Sequence, residues 1–455
     1  MASIIQIILL LLCGSVFFVK RIHKLVILII TGLCLTPFHI SGIPYGNIKY
    51  LIPLCVFVSE FKLIKSQLRS FNFISNISCL MVLASIILWI NSPHYSGIKG
   101  LTLILLFELV YKYFIIVMSY VLVINLSDLN PVLRAIKCCL IILTVFGVLN
   151  YISKTSYVLE LAGNAEMASY FKYADRFRVQ SLFNNAFDYG FSCLSCLIVY
   201  TFAYNKKMTD KMSFFIVFAC AIFGILFCGG RTLVLCFIVF EFIFLLLAKK
   251  RFLRRFKVLL GIGIISSLTY FFIPVVEEKI DEMLTMFSPN DSTAESSNLD
   301  MRTTQYTAVL FYVRDNMLFG RGRDFFLEDL GWGKGGLEGA VDKDLMGLEG
   351  VLMGLLLERG IFGVLAYITY YISILIYLCR RRKNDRPLFA ASVSLILVFL
   401  LFGNATGELF SFYLTLVFTG IFIKIFDIEE NNQTKLNYET NKIYNSSTSL
   451  QSKIL

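Results

Sequence analysis

Residues 212–248 read MSFFIVFACAIFGILFCGGRTLVLCFIVFEFIFLLLA, two long apolar runs separated by two glycines and an arginine. An α-helix needs roughly 20 mostly apolar residues to cross the hydrocarbon core of a bilayer. Glycine permits a tight turn between two such helices. This stretch therefore predicts a helical hairpin through a membrane, with Gly229, Gly230 and Arg231 at the turn.

The same pattern extends over most of the chain. Of the 455 residues, 57% are apolar and 16% are charged, and the mean hydropathy is +0.74, well above soluble usage. We expect an all-α, polytopic transmembrane helical bundle of about 12–13 spans with a large, partly helical external loop. The predicted spans are residues 3–19, 25–41, 48–61, 72–91, 99–126, 137–153, 186–204, 212–229, 232–248, 258–275, 355–379, 388–403 and 408–426.

The net charge of +11 is unevenly distributed. Basic clusters occupy alternate connections between the runs, which is the positive-inside pattern of membrane proteins. The loop at 276–348 instead carries twice as many acidic as basic residues. We therefore expect the amino terminus and this loop outside, the carboxyl terminus in the cytoplasm, membrane lipids as partners of the basic clusters, and no nucleic-acid partner. The clusters include Lys20 to Lys24, Lys62 to Arg69, Arg134 and Lys137, Lys206 to Lys211, Lys249 to Lys257, and Arg380 to Arg386.

Six segments follow from this pattern. Within the large loop, Asp300 is placed to cap a helix, and Tyr306, Leu310 and Val313 repeat at helical spacing. An amphipathic external helix is expected there. The segments are N-terminal transmembrane helices at 1–153, a first external loop at 154–185, central helices at 186–275, the large loop at 276–348, C-terminal helices at 349–426, and a disordered cytoplasmic tail at 427–455.

Metal and disulfide chemistry are not indicated. The chain has 3 histidines and 12 cysteines, and the cysteines all fall in or beside apolar runs, without the clustered spacing of a zinc or haem site. Small buried side chains are their ordinary role. We expect no metal, no cofactor and no disulfide framework.

Arginines mark the candidate site. Arg178 lies in the first external loop and Arg231 at the turn of the hairpin, while Arg302, Arg321 and Arg323 lie in the large loop. Arginine is suited to bidentate recognition of phosphate. The set predicts a site for an anionic group at the external face.

The order of these motifs resembles that of bacterial O-antigen polymerases and the related O-antigen ligases, which are integral membrane glycosyltransferases. Arg178 precedes the Asn184 and Asn185 pair that opens a helix, and Arg231 opens a mid-chain helix. Arg302 starts an amphipathic helix leading to GRGRDFF at 320–326, and LEGVLMGLLLERGIFG at 348–363 supplies a Leu-rich helix with a Gly-Ile-x-Gly break. The resemblance covers roughly residues 176–365.

The resemblance implies a metal-independent transfer of an undecaprenyl-diphosphate-linked glycan onto another lipid-linked repeat unit, at the periplasmic face of the bacterial inner membrane. A chain-length regulator protein is a further implied partner. Arg231, with Arg178 or Arg302, would stabilise the leaving diphosphate, and Glu349 or Asp344 would act as the base. Ligases commonly have a histidine where this chain has Glu349, which favours a polymerase.

Two alternatives stay open. One is an O-antigen ligase. The other is a flippase or transporter for lipid-linked oligosaccharides, for which Glu108, Lys112 and Glu241 are the charges placed within apolar runs.

Overall fold

The computed structural model describes residues 2–38, 47–70, 72–90, 104–155, 178–248, 296–322, 350–383, 385–406 and 412–451, together with positions 325, 330, 345 and 348. Within these ranges the regular secondary structure is helical, and they contain no β-strand. In chain order the helices are α1 (Ala2–Ser15), α2 (Arg21–Cys34), α3 (Ile48–Ser59), α4 (Phe61–Arg69), α5 (Phe73–Ile90), α6 (Phe114–Leu122, preceded by a π-helical stretch, Ile104–Tyr113), α7 (Leu129–Ser153), α8 (Ala186–Asn205), α9 (Lys211–Phe227), α10 (Arg231–Ala248), α11 (Ser296–Val313), α12 (Val351–Arg381), α13 (Arg386–Thr406) and α14 (Phe412–Gln451).

Helix α8 lies at the centre of the bundle, in contact with α7, α9, α10, α13 and α14. Every residue from Ala186 to Ala203 except Phe187 is buried. Small side chains let neighbouring helices approach closely, and a side chain on Gly224 of α9 would begin 2.5 Å from the Sγ of Cys193 on α8. Burial on all sides explains why the sequence of α8 has no polar face.

Apolar side chains also cover the outside of the bundle. On α12, Phe362, Leu365, Ile372 and Ile376 are each about half exposed and follow one another at helical spacing. Helix α10 has a similar stripe, formed by Leu235, Ile238, Phe242 and Leu246. Stripes of this size are unfavourable in water. Together with the length of the helices, they indicate a multi-pass membrane protein.

Apart from α4 and α11, the helices overlap the predicted apolar runs, and the run 258–275 lies outside the described residues. Among the described residues, five helices are long and apolar enough to cross a membrane: α7 with its preceding turn, α8, α10, α12 and α13. The count becomes six if α4 and α5, bent by 97°, form one broken span. Other apolar helices have 10–17 residues, which is short for a full crossing. The predicted 12–13 spans therefore stay a prediction.

Helix α12 folds back on itself at Gly360, where φ is 62° and ψ is −162°. Before the break, the N–H of Leu352 donates to Oδ1 of Asn404 in the last turn of α13, over 3.4 Å. After it, the ring of Tyr371 lies 5.7 Å from that of Phe399, also near the end of α13. A straight helix would separate Leu352 from Tyr371 by roughly 28 Å. The break therefore brings both halves of α12 to the same end of α13.

Residues 317–322 satisfy the backbone groups that the break in α12 frees. The N–H groups of Arg321, Gly322, Ile361 and Phe362 donate to the carbonyls of Leu357, Glu358, Met317 and Leu318, respectively, at 2.7–3.2 Å. Irregular backbone inside a membrane protein is tolerated where other protein groups pair with it. We call this arrangement of residues 317–322 and 357–362 the clamp. It ties the end of α11 to the bend of α12.

The predicted helix in the large loop is confirmed, but its predicted face is wrong at one position. Helix α11 begins at Ser296 rather than near Asp300, and its buried side chains include Val309 and Val313, whereas Leu310 is 51% exposed. The buried face packs against Leu357 of α12, with Phe325, Leu330 and Leu345 completing a small second core. Contacts with α12 therefore decide which side of α11 is covered.

The predicted disordered tail is wrong at its start, because α14 continues past residue 426 to Gln451. Asp427 accepts hydrogen bonds from the hydroxyls of Tyr120, at 2.7 Å, and Tyr377. Glu429 accepts one from Nζ of Lys206 at 2.7 Å. These partners lie on α6, α12 and the end of α8, so they hold the first turn beyond the predicted boundary.

Candidate functional site

The C-terminal end of α13 is also the place where α8 and α10 begin. Phe191, in the second turn of α8, stacks on Phe402 with the ring centroids 4.5 Å apart. The thiol of Cys236, in the second turn of α10, donates to the carbonyl of Val398 at 3.7 Å. Each helix therefore starts beside residues 402–406 and runs back along α13.

Arg178 and Arg231 come together at this end. The guanidinium carbon of Arg178 lies 5.0 Å from the ring centroid of Phe187, in the first turn of α8. Its Cγ lies 3.0 Å from the point where a side chain on Gly229 would begin, and Gly229 has a φ of +68°. Arg231 follows two residues later as the first residue of α10. The turn predicted from the two glycines thus packs directly against Arg178.

The segment after Arg178 is anchored inside the bundle. The N–H of Val179 donates to the carbonyl of Phe227 at 3.0 Å, and the hydroxyl of Ser181 donates to the carbonyl of Leu143 at 2.6 Å. Val179 and Ser181 are fully buried. Arg178 therefore stands on a fixed backbone rather than on a free loop, although its own side chain is only half-buried.

Arg302 reaches the same end from α11. One of its terminal nitrogens donates to the carbonyl of Ala405, in the last turn of α13, at 2.8 Å. A cation at the C-terminus of a helix interacts favourably with the helix dipole. The first turn of α12 lies next to it, through the bond between Leu352 and Asn404.

Three helix N-termini therefore surround the end of α13: those of α8, α10 and the first half of α12. Each N-terminus carries about half a positive charge and N–H groups without intrahelical partners. Arg178, Arg231 and Arg302 add three full charges. We call this region the arginine end. Its chemistry suits a ligand with several negative oxygens, such as a diphosphate.

Two buried polar residues near the arginine end were not predicted as site residues. Asp188 is 6% exposed in the first turn of α8, and Gln305 is fully buried on α11, three residues after Arg302. An acid in the first turn of a helix is favoured by the dipole, so burial alone does not make Asp188 functional. Its place next to Phe187 adds a third candidate proton acceptor to Glu349 and Asp344. An acidic residue within the apolar run 186–204 was the signal that could have found it.

Of the remaining predicted site residues, the structure describes Arg321, which is bound elsewhere. Nε of Arg321 donates to the carbonyl of Tyr312 at 2.6 Å, and its terminal nitrogen bonds to Asp315 at 3.1 Å. These bonds, together with the backbone bonds of the clamp, hold Arg321 between the end of α11 and the bend of α12. Arg323, Glu349 and Asp344 lie outside the described residues, so their predicted roles stay predictions.

Arg359 is a buried charge that sequence reasoning missed. It is 2% exposed, although it lies immediately before the break in α12. A side chain on Gly363 would collide with the Cβ of Arg359, which shows how closely the turn is packed. A basic residue inside the predicted span 355–379 was the available signal.

Ion pairs join the loops at the opposite end of the bundle. Lys206, just after α8, pairs with Asp385 at 2.5 Å and with Glu429 at 2.7 Å. Burial lowers the pKa of Lys206, but its hydrogen bonds to the two carboxylates more than offset this and raise it. Burial raises the pKa of Glu429. One ammonium group thus holds two acids, one before α13 and one on α14.

The side chains in the described ranges form no group of three or more histidines, cysteines or acids able to hold a metal ion. All twelve cysteines are free.

Neither a protein-family model nor a curated protein sequence matches this chain.

Proposed function

We propose that this chain is a polysaccharide polymerase of the bacterial inner membrane, which transfers an undecaprenyl-diphosphate-linked glycan onto another lipid-linked repeat unit. The observation that carries the proposal is the arginine end, where Arg178, Arg231 and Arg302 lie near three helix N-termini at the C-terminal end of α13. The repeat units would be those of an O-antigen or a capsule.

The distribution of charge supports a periplasmic site. The opposite end of the bundle carries Lys137, Lys206 and Arg381, each bound to a neighbouring loop or helix. Under the positive-inside rule those connections face the cytoplasm. The arginine end then faces the periplasm, where lipid-linked repeat units are polymerised in the family that the sequence resembles.

The proposed chemistry is substitution at the reducing-end sugar of the donor. The bond from this sugar to the diphosphate breaks as the acceptor hydroxyl attacks, so negative charge grows on the departing oxygen. Fixed donors aimed at such a charge are worth about 2.7–4 kcal/mol each. Arg231 and Arg178 would supply them, and Glu349 or Asp188 would accept the proton of the acceptor hydroxyl.

Replacing Arg231 with Ala tests the proposal in cells. We expect long-chain surface polysaccharide on a gel to collapse to single repeat units, while the protein is still present in membranes. Arg134→Ala, an exposed position at the opposite end, is the matched control and should leave the ladder unchanged. An unchanged ladder in the Arg231 variant would remove the assigned role.

A deletion strain separates the alternatives. A polymerase defect leaves single repeat units attached to their surface acceptor. A ligase defect leaves finished polymer on the lipid carrier, and a flippase defect leaves no surface glycan. Either of the last two results contradicts the proposal.

A further inference from the structure

The cytoplasmic half of α12 has a groove that the proposed reaction does not use. It has a volume of about 600 Å³ and is lined by Ile372, Leu375, Ile376, Cys379, Arg380, Arg382 and Lys383. Its wall is apolar for two turns of helix and its end is basic. The described lining contains no acidic residue.

The three cations at the end of the groove differ from their neighbour Arg381. Arg381 bonds to Glu430 at 2.9 Å and lies 3.8 Å over the ring of Tyr377. Arg380, Arg382 and Lys383 are exposed, and none of them makes an ion pair with a described residue. The favourable effect of cations at a helix C-terminus explains their presence, but it does not explain the apolar groove that leads to them.

Helix α4 indicates how deep in the bilayer the basic end of the groove lies. Helix α4 lies across the bundle, at 97° to α5, with exposed Lys62, Lys65 and Arg69 and buried Ile64. A short amphipathic helix of this kind lies at the headgroup level of a bilayer. Phe73, at the start of α5, stacks on Tyr377 with centroids 4.1 Å apart. Residues 379–383 are therefore near headgroup level, and Ile372 and Ile376 are at acyl-chain level.

We propose that this groove binds one anionic phospholipid of the cytoplasmic leaflet. An acyl chain would lie along Ile372, Leu375 and Ile376, and the phosphate would be held by Arg380, Arg382 and Lys383. The apolar wall and the basic end match the two parts of such a lipid in order and in charge. The site is distinct from the arginine end, which lies at the other end of α13.

The test compares the full-length chain in nanodiscs that contain phosphatidylglycerol or only phosphatidylcholine. Bound lipid is counted by native mass spectrometry, and affinity is read from titration with phosphatidylglycerol. We expect one retained phosphatidylglycerol in the wild type. The triple variant Arg380→Gln, Arg382→Gln, Lys383→Gln should bind it on the order of 100-fold more weakly, since each basic side chain near the surface favours anionic lipid.

A charge-matched control removes three exposed cations at the same end but outside α12: Arg134→Gln, Lys207→Gln, Lys211→Gln. This control should retain the lipid. Equal loss in both variants would show only general attraction to an anionic surface and would overturn the proposal, as would full retention in the groove variant.

The acyl wall is tested separately by Ile376→Trp, which fills the groove without changing charge. We expect it to release the lipid, and unchanged binding would contradict the groove. Displacement by soluble glycerol phosphate would show an anion site without a lipid and would also contradict it. A disulfide between Cys379 residues of two copies in one nanodisc would assign the groove to a second chain instead.

Discussion

The backbone of Gly360 fills the space that a side chain on Gly320 would need. A side chain on Gly320 would begin 2.5 Å from the backbone nitrogen of Gly360, and one on Gly360 would overlap the backbone of Leu318. Both glycines also have positive φ, +76° and +62°. The clamp therefore depends on glycine twice, and the glycine-rich segment predicted as part of the site has a backbone role at Gly320.

Replacing Gly320 or Gly360 with Ala should open the clamp. The strain at positive φ and the overlap with backbone together predict a loss of about 2 kcal/mol or more in stability. Thermal unfolding of the purified protein measures this. Gly354→Ala is the control, because nothing lies within 4 Å of a side chain at that helical position, and it should be neutral or slightly stabilising. Equal stability of all three variants would rule out the clamp as described.

Gly229→Ala should weaken activity without removing any charge. The new methyl group would press on Cγ of Arg178, 3.0 Å away, at a φ of +68°. We expect Arg178 to shift from the diphosphate and polymer yield to fall at least tenfold, since a small displacement of a charge-stabilising group is costly. Gly14→Ala, with open space around it, should keep full yield. A fully active Gly229→Ala would separate Arg178 from the reaction.

Arg302→Ala and Arg302→Lys should differ from each other. Alanine removes both the charge and the hydrogen bond to Ala405, which is worth about 1.5–3 kcal/mol for a charged donor. Lysine keeps the charge but loses the planar fork of arginine. We therefore expect intermediate activity for lysine and the lowest for alanine, measured as donor turnover. Arg314→Ala, exposed beyond the end of α11, serves as control, and equal activity of both Arg302 variants and this control would contradict the account.

The Lys206 cluster predicts a pH dependence of stability. Burial lowers the pKa of Lys206, but its bonds to Asp385 and Glu429 raise it by more. Its contribution to folding stability is therefore fully present below the ordinary lysine pKa of about 10.4. This contribution is lost as the pH rises through the raised value. Burial also raises the pKa of Glu429. Its contribution to folding stability is therefore fully present below the ordinary pKa of glutamate and is lost as the pH rises through the raised value. Thermal unfolding can be measured from about pH 8 to about pH 11, a range that includes the ordinary pKa of lysine. The unfolding temperature of the wild type should fall at high pH, and that of Lys206→Met should not show this fall.

Glu429→Gln is the companion variant. It should cost little at neutral pH, because Asp385 still holds Lys206 and the buried charge is removed. If Glu429→Gln loses more stability than Lys206→Met, then Lys206 is not the central group of this cluster.

The helices were largely predictable because the apolar runs are long and separated by glycines and basic clusters. The run from Arg231 to Ala248 matches α10 within one residue of its prediction. An apolar run does not indicate in which direction the helix continues after a break. LERGIFG at 357–363 predicts an interruption, but only the contacts of Tyr371 and Leu352 with the end of α13 show that the chain turns back there.

The candidate site was predictable in part. Arg178, Arg231 and Arg302 were chosen by residue type and position, and the structure brings them to one end of α13. Arg321 has the same chemistry, but its guanidinium is hydrogen-bonded to Asp315 and Tyr312. Tertiary contacts, which the sequence does not show, decide which arginines form such bonds. Asp188 and Arg359 were missed because burial of a charge inside an apolar run depends on packing that composition does not report.

The most direct test of the arginine end uses purified protein in nanodiscs with an undecaprenyl-diphosphate-linked repeat unit as both donor and acceptor. Wild-type protein should produce a ladder of lipid-linked polymers and release undecaprenyl diphosphate. Arg231→Ala should reduce the initial rate by about 100-fold or more, while Arg134→Ala retains it. A wild-type protein that forms no ladder, or an Arg231→Ala variant at the wild-type rate, would contradict the account.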